Sequence, residues 1–448
     1  MLRTETGLMQ KHVQLVAICL GYFMVILDAT IVNVALPSIA RDLGGKVNGL
    51  QWVVDAYTIV FAGLLLPAGS AGDRLGSRRV FLAGLAVFTL ASAGCAVAPS
   101  LPVLIAARVL QGAAAATLVP SSLSLLRASY ADTRARARAV GIWGAVAGVG
   151  AASGPILGGA LVAASSWRAV FLVNLPVAAI ALMLGFRYLV CGRERQDGGL
   201  DPAGQLLGIL TLTLLTFGAI EKSVVALAAT PFALIAFLGV ERGVRRPMLP
   251  LELFRSRAFS SASFVGFAIN LGFYGQLFVF SLYFQQLRGF SALQTGLALL
   301  PEGVFVALAS GLSGRLTGRV GPRLPMLSGL LCGAVGFAAL LVAGGSTSYP
   351  ILIPGLLAAG FGMAFTMPAA TAAIIDAAPA ERAGIASGVL NASRQAGGAI
   401  GVAVLGALIA SHAFISGLHG AMLVSAGSFL LAAAVVVLTR LPARPRRR

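Results

Sequence analysis

The chain has 448 residues, 58% of them hydrophobic and only 11% charged, with a formal net charge of +18. A soluble domain carries about 45–50% apolar and about 25% charged residues, so this surplus cannot be hidden in a soluble core, and disordered chains are poor in apolar residues. The positive charge is no nucleic-acid footprint either, because it falls in short clusters between uncharged runs such as 80–107, 139–167 and 395–439 instead of gathering on one surface.

Lipid is therefore the solvent for most of the chain. At about 20 residues per crossing, apolar runs set against charged punctuation predict fourteen spans. They lie near 13–36, 50–70, 80–98, 102–124, 139–163, 169–188, 202–220, 224–240, 259–286, 293–312, 325–344, 350–374, 384–410 and 420–439. The first run is long and contains an Asp, which reads as a span and not as a cleavable signal peptide. With the N-terminus placed in the cytoplasm, 26 Lys and Arg lie inside and five (Arg41, Lys46, Arg168, Lys222, Arg288) outside. That bias sets both termini in the cytoplasm and requires an even number of spans. Arg255, Arg257 and the run Arg444 to Arg448 read as anchors to anionic lipid headgroups. Cys19, Cys95, Cys191 and Cys332 lack metal-ligand spacing and read as small apolar filler. His12, His412 and His419 fall at span ends with no second ligand beside them.

A weak repeat links the loops after the second and tenth spans. Gly69, Arg74, Gly76 and Arg78 recur 245 residues later as Gly314, Arg319, Gly321 and Arg323, with Gly318 in place of Asp73. Spans 1–6 then match spans 9–14, and the expected organisation is a six-helix bundle over 1–190, two inserted helices over 191–257, and a second six-helix bundle with a basic tail over 258–448. Paired bundles around a central path are the architecture of many secondary transporters.

Short motifs punctuate the spans in order. They are Leu27-Asp-Ala-Thr-Ile-Val-Asn-Val-Ala-Leu-Pro37 in the first span, Gly69 to Arg79 after the second, and Arg108-Val-Leu-Gln-Gly112 in the fourth. Gly150-Ala-Ala-Ser-Gly-Pro-Ile-Leu-Gly-Gly159 follows in the fifth, then Trp167-Arg168 with Asn174-Leu-Pro176 at the sixth and Asn391 to Gly398 in the thirteenth. On these residues the chain resembles the major facilitator superfamily, and closely its fourteen-helix drug:proton antiporter branch, over nearly its whole length. The loop departs from the family pattern at Ala71 and Ser77. The resemblance implies a gating latch at Gly69, Asp73, Arg74, Gly76 and Arg78. It also implies an antiporter motif at Gly150, Gly154, Pro155, Gly158 and Gly159, and a path lined by spans 1, 4, 9 and 12.

The residues carry physical readings of their own. Asp28 sits inside a span, where an unpaired charge costs a few kcal/mol or more. A carboxyl that is neutral when dry and ionised when wet can carry a proton through an access cycle. By rise per residue, Asp28, Arg108 and Asp55 lie roughly 12, 9 and 8 Å from the outer ends of their spans, so all three are expected in the outer part of the first bundle. Asp28 and Arg108 read either as an ion pair holding two spans together or as a coupling or binding site. Asp55 reads equally as a solvated mouth residue. Glu302, after Pro301, lies roughly 14 Å into the tenth span and is a candidate second proton or cation site. Arg394 is a candidate for the substrate path or for a structural pairing. Asn33, Gln111, Phe23, Met24, Tyr274 and Met363 are the other expected path residues. The glycine face of the fifth span lets helices approach closely.

No phosphate loop, catalytic constellation or metal-ligand cluster occurs in the sequence. The expectation is an all-α integral membrane protein of the major facilitator fold, not an enzyme. It would act as a monomer in the bacterial inner membrane, exporting a small amphipathic drug or antibiotic against protons. It would need no cofactor beyond the proton motive force and no metal or nucleic acid. Export of a lipid or other metabolite, or uptake by symport, are the alternatives within transport, and a non-transporting scaffold is the alternative outside it.

Overall fold

Inside a bilayer no water satisfies the backbone, so each N–H and C=O must bond within its own segment. The computed structural model describes residues 2–130, 132–189, 201–244, 247, 249, 251–378, 383–411 and 413–439, and among these there are helices and no strands. Cys191, Arg193, Arg195, Arg245, Arg246, Arg382, His412, Arg440 and the run Arg444 to Arg448 lie outside the described residues, as does the side chain of Asp73.

The helices are α1 (Leu2–Leu43), α2 (Val47–Leu75), α3 (Ser77–Ala96), α4 (Leu101–Ser129), α5 (Thr133–Ala164), α6 (Ala169–Leu172) and α7 (Asn174–Tyr188). They continue as α8 (Pro202–Ile220), α9 (Val224–Gly243), α10 (Arg257–Leu282), α11 (Ala292–Val320), α12 (Arg323–Ala339), α13 (Tyr349–Asp376), α14 (Ala383–Ser411) and α15 (Phe414–Leu438). Among the described residues twelve spans are long and apolar enough to cross a membrane, α6 and α7 counting together as one, or thirteen when α5, bent by 42°, counts as one span; of the fourteen expected spans, α2 is the one outside that set. The sixth span is broken into α6 and α7. Pro176 has no N–H for the carbonyl of Leu172 and its ring crowds that carbonyl, which starts a new helix at Asn174.

Packing follows two groups. Helices α1–α7 contact one another, chiefly α1 with α5, α2 with α4 and α3 with α4, and α10–α15 do the same through α10 with α14 and α12 with α13. Two seams join the groups, α2 against α14 and α5 against α11. Gly76 and Gly321, the paired glycines of the repeat, both hold positive φ (89° and 84°) between consecutive helices. A side chain rarely adopts that conformation, so the repeat seen in the sequence is a repeat of backbone shape.

The seams close at one end. Gln51 of α2 donates to the carbonyls of Val402 (3.0 Å) and Ala403 (2.8 Å) of α14, and Gln285 donates to the Val34 carbonyl at 2.9 Å. Gln285 lies in a π-helical turn, Tyr283–Leu287, that extends α10. On α11, residues 296, 311, 314 and 318 lie along one stripe of a 3.6-residue helix. A Cβ at Gly296 would strike the backbone of Pro155, whereas Gly311, Gly314 and Gly318 have nothing within 4 Å. The same holds on α5, where Gly144 shares the Pro155 face and also has nothing within 4 Å. The bundles therefore meet at the face away from the termini and part toward them.

Helices α8 and α9 form a hairpin in which α8 packs on both α2 and α14, across one seam. Trp52 Nε1 donates to Glu221 Oε1 at 3.1 Å, tying the hairpin's turn to α2. At the other end, Asp201 accepts from the Gly204 N–H (2.9 Å) and Glu241 from the Leu249 N–H (2.8 Å). Both acids are buried, and the second oxygen of each, Asp201 Oδ2 and Glu241 Oε1, has no partner and points at Gly204. Glu241→Ala is expected to strand the Leu249 N–H at a cost of about 1–3 kcal/mol. Thermal unfolding in detergent should fall for that variant and hold for Glu241→Gln, whose carbonyl still accepts and whose amide donates toward Asp201.

Candidate functional site

The densest polar cluster lies within the first bundle. Arg108 and Gln111 are three residues apart, on one face of α4, and that face meets α1, α2 and α3. Asp28 accepts three hydrogen bonds: from Arg108 Nη1 on Oδ2, and from Gln111 Nε2 (2.8 Å) and Asn174 Nδ2 (3.0 Å) on Oδ1. Arg108 also donates to Gln111 Oε1 at 2.7 Å and, through Nε, to the Val53 carbonyl at 2.9 Å. Ser92 takes further bonds from Gln111 (2.9 Å) and Asn174 (3.2 Å). The guanidinium lies 4.2 Å from the centre of the Tyr57 ring, close enough for a cation–π contact. Asp28, Ser92, Arg108, Gln111 and Asn174 are all 0% exposed.

Two charges removed from water at that depth persist only when paired and hydrogen-bonded, and this pair is both. One donor is left over: Arg108 Nη2 has no hydrogen-bond partner. The break before Asn174 turns its side chain onto Asp28. Ser92 and Tyr57 carry no charge and lie inside uncharged or lightly charged runs, so no charge in the sequence marks them as members of the site.

The other two acids are not brought to this pair. Asp55 is 0% exposed and neither of its oxygens has a hydrogen-bond partner. It sits one turn along α2 from Gln51, on the face turned to α14, so the expected solvated mouth position is corrected to an enclosed one at the seam. Glu302 lies in the second bundle, 2% exposed, where Oε2 accepts from Gln276 at 3.2 Å and Oε1 has no partner. Gly360 of α13 makes the room for it, since a Cβ there would lie 2.8 Å from Glu302 Cγ. Gln276 is one of four amides in the uncharged run 258–287, with nothing in the sequence to set it apart from Asn270, Gln285 and Gln286.

The expected path residues divide. Met24 is 0% exposed, packed into the first bundle's core, and Asn33 is 2% exposed and donates to the Ala29 and Thr30 carbonyls of its own helix. In this state neither is exposed to a path. Gln111 belongs to the Asp28 network, and Met363 packs with Phe273 and Phe365. Phe23 and Tyr274 are partly exposed where the bundles face each other. Arg394 of α14 is partly exposed too; Nη1 donates to Asn391 Oδ1 at 3.1 Å while Nε has no partner. A Cβ at Gly398, one turn along α14 from Arg394, would lie 3.6 Å from the Tyr274 ring of α10. Among the described residues no group of three or more His, Cys, Asp or Glu is placed to hold a metal ion.

The family model described as Major Facilitator Superfamily matches residues 18–402. The chain belongs to the major facilitator superfamily. It is 37% identical to the methylenomycin A resistance protein of Streptomyces coelicolor, over 97% of this chain and 93% of that protein. It is 38% identical to the multidrug resistance protein Stp of Mycobacterium tuberculosis (89% and 75%) and 35% identical to the tetracenomycin C resistance and export protein of Streptomyces glaucescens (89% and 76%). The fold matches that of a bacterial homologue of the human lysosomal transporter Spinster, in an inward-facing and occupied conformation. That match has a TM-score of 0.69 at 17% identity and covers 97% of this chain and 98% of that one.

The superfamily loop between α2 and α3 packs on its own bundle. A Cβ at Gly69 would meet Pro120 at 3.6 Å, Ser77 Oγ donates to Ser124 Oγ at 2.7 Å, and Arg78 Nη2 donates to the Phe186 carbonyl at 2.7 Å. Arg74 is exposed. Ser77, the departure from the family's basic residue, thus replaces a charge with a hydroxyl bond to α4. The glycine motif of α5 splits into two faces. Cβ atoms at Gly150, Gly154 and Gly158 would strike α1 at Phe23, Thr30 and Ile31, whereas one at Gly159 would strike Ala292 and Leu293 of α11. Only the last is a contact between bundles.

Proposed function

We propose that this protein is a proton-coupled antiporter that exports small amphipathic drugs or antibiotics from a bacterial cell. It acts as a monomer in the inner membrane with both termini in the cytoplasm. The enclosed Asp28–Arg108 pair carries the reading, because an acid held in a dry site by one removable cation is a switch that a proton can throw. The chain's relatives, resistance and export proteins at 35–38% identity over most of its length, support the substrate class and the direction.

In this reading the two helix groups are the rocking bodies, and the structure is the inward-open state, sealed at the far face by Gln51, Gln285 and the Gly159–Ala292 contact. Substrate enters between the bundles from the cytoplasm. Rocking opens the far face, releases substrate and wets the outer part of the first bundle. A proton then neutralises Asp28 and weakens its hold on Arg108, whose bonds to Gln111 and the Val53 carbonyl keep the cation placed. The proton leaves after the return to the inward-open state, and the pair closes again. Asp55, without a partner at the α2–α14 seam, and Glu302, held by a single amide, are the further carboxyls that can take a proton.

Efflux of dyes and antibiotics from a pump-deficient bacterium tests this, with wild type and Asp28→Asn at equal expression by blot, each with and without a protonophore. The expected result is efflux by wild type that either the protonophore or the substitution removes. Full efflux by Asp28→Asn would move the coupling site to Asp55 or Glu302. Accumulation in place of efflux would assign uptake.

A further inference from the structure

Among the described residues, one charge away from the span ends has no neutralising partner. Five described charged side chains lie there, and four of them, Asp28, Asp55, Arg108 and Glu302, are at most 2% exposed. Arg394 alone keeps exposed surface. Its stem packs on α10: a Cβ at Gly266 would lie 3.2 Å from Arg394 Cγ, and one at Gly398, a turn further along α14, would lie 3.6 Å from the Tyr274 ring. It has no carboxylate partner; its single hydrogen bond goes to the neutral Asn391, and Nε has none. A guanidinium has five donors in a planar fork suited to carboxylate, sulfonate or phosphate, and this one has most of them unspent.

Aromatic residues line the same part of α10: Tyr274, partly exposed, meets Phe273 edge-on at 5.6 Å, and Phe264 and Phe267 stack on the stretch of α10 that carries Gly266. Flat apolar surfaces beside one cation fit a molecule with a ring system and one negative head. The described carboxylates away from the span ends, Asp28, Asp55 and Glu302, are at most 2% exposed, so a cationic drug beside Arg394 would meet a like charge.

The geometry points to Arg394 as the docking cation for the anionic head of an amphipathic substrate. This rests on the reading of the inter-bundle space as the substrate path, and it narrows that reading to acids. Asn391 orients the fork, and the aromatics take the apolar body. A lipid phosphate has the same chemistry as a solute carboxylate, so the test must separate the two sources.

Three probes of one shape do so: pyrenebutyrate, pyrenebutanol and pyrenebutyl-trimethylammonium, titrated into purified full-length protein and read by pyrene and tryptophan fluorescence. The expected order of affinity is anion, then neutral, then cation, with the anion at least about tenfold tighter than the alcohol. Arg394→Gln should remove that preference and leave the alcohol unchanged, and Arg394→Lys should keep part of it, with unaltered thermal unfolding as the control for folding. Equal affinity for all three probes, or an anion preference that survives Arg394→Gln, overturns the proposal. Repeating the titration in phosphatidylglycerol and phosphatidylcholine nanodiscs assigns the source. Loss of the anion preference only in phosphatidylglycerol makes a lipid phosphate the ligand, and no difference makes it a solute. Because binding is measured without transport, an anion site in a protein that exports none of the probes would overturn the export reading and leave this one standing.

Discussion

Arg108→Ala should abolish transport and lower the thermal midpoint more than any other single substitution in the first bundle, and adding Asp28→Asn should recover most of the stability and none of the transport. The reasoning is one of unpaired charge. Asp28 is fully enclosed with three donors directed at it, and removing the cation leaves a carboxylate in a dry site with two amides for company. Breaking a buried pair from one side costs about 3–5 kcal/mol, whereas replacing both partners by neutral groups is often close to neutral. Asn at position 28 still accepts from Gln111 or Asn174, so the double variant restores a neutral, hydrogen-bonded cluster. It keeps no group able to take up a proton there. The alanine also empties the volume over the Tyr57 ring, which is why recovery should be incomplete. Scanning fluorimetry in detergent and efflux in cells read the two effects separately. If the double variant melts no higher than Arg108→Ala alone, the loss arises from the cavity and not from the stranded acid, and the pair is not the switch proposed.

The sequence made the broad architecture legible because lipid leaves few choices: apolar runs become helices, and charge marks their ends. It also made Asp28 and Arg108 legible as members of one site, since the depth of each along its span could be counted. What it could not supply was azimuth. Asp55 lies at nearly the same depth as the pair, but on the face of α2 that meets α14, and only the Gln51 bonds across the seam reveal that face. Met24 is next to Phe23 in sequence, yet a rotation of about 100° per residue sends one into the core and leaves the other partly exposed. Neutral polar residues were the other gap. Ser92 and Gln276 help complete the shells around Asp28 and Glu302, and nothing in a charge-based reading separates them from the many serines and amides that bond only to their own helix, as Asn33 does; Asn174 stood out only as part of a motif, without its bond to Asp28.

Azimuth also decides the second large effect, at two adjacent glycines. Gly158→Val and Gly159→Val differ by one position, and they should fail in different ways. A Cβ at residue 158 would come 2.8 Å from the Ile31 carbonyl, inside the first bundle, while one at 159 would come 2.6 Å from the Ala292 carbonyl and 2.9 Å from Leu293 Cα, across the seam. Backbone atoms cannot rotate away as side chains do, so the helices themselves must move. At 158 the strain falls on the α1–α5 contact, which exists in every state of the bundle, and the expected result is a lower thermal midpoint from overpacking of about 1–3 kcal/mol. At 159 the strain falls only on the state in which the far face is closed. The same about 1–3 kcal/mol then shifts the balance toward the far-open state by about 5- to 150-fold, with little loss of stability, because opening the seam relieves it. Spin labels at Ser165→Cys and Leu297→Cys, exposed positions near the far ends of α5 and α11, should report longer distances for Gly159→Val and an unchanged distribution for Gly158→Val. Transport should fall at least tenfold in the former, since a pump that cannot reclose its far face cannot return for substrate. Unchanged distances in Gly159→Val would mean that α5 and α11 do not form the far-side gate, and that the seam at α2 and α14 carries the closure alone.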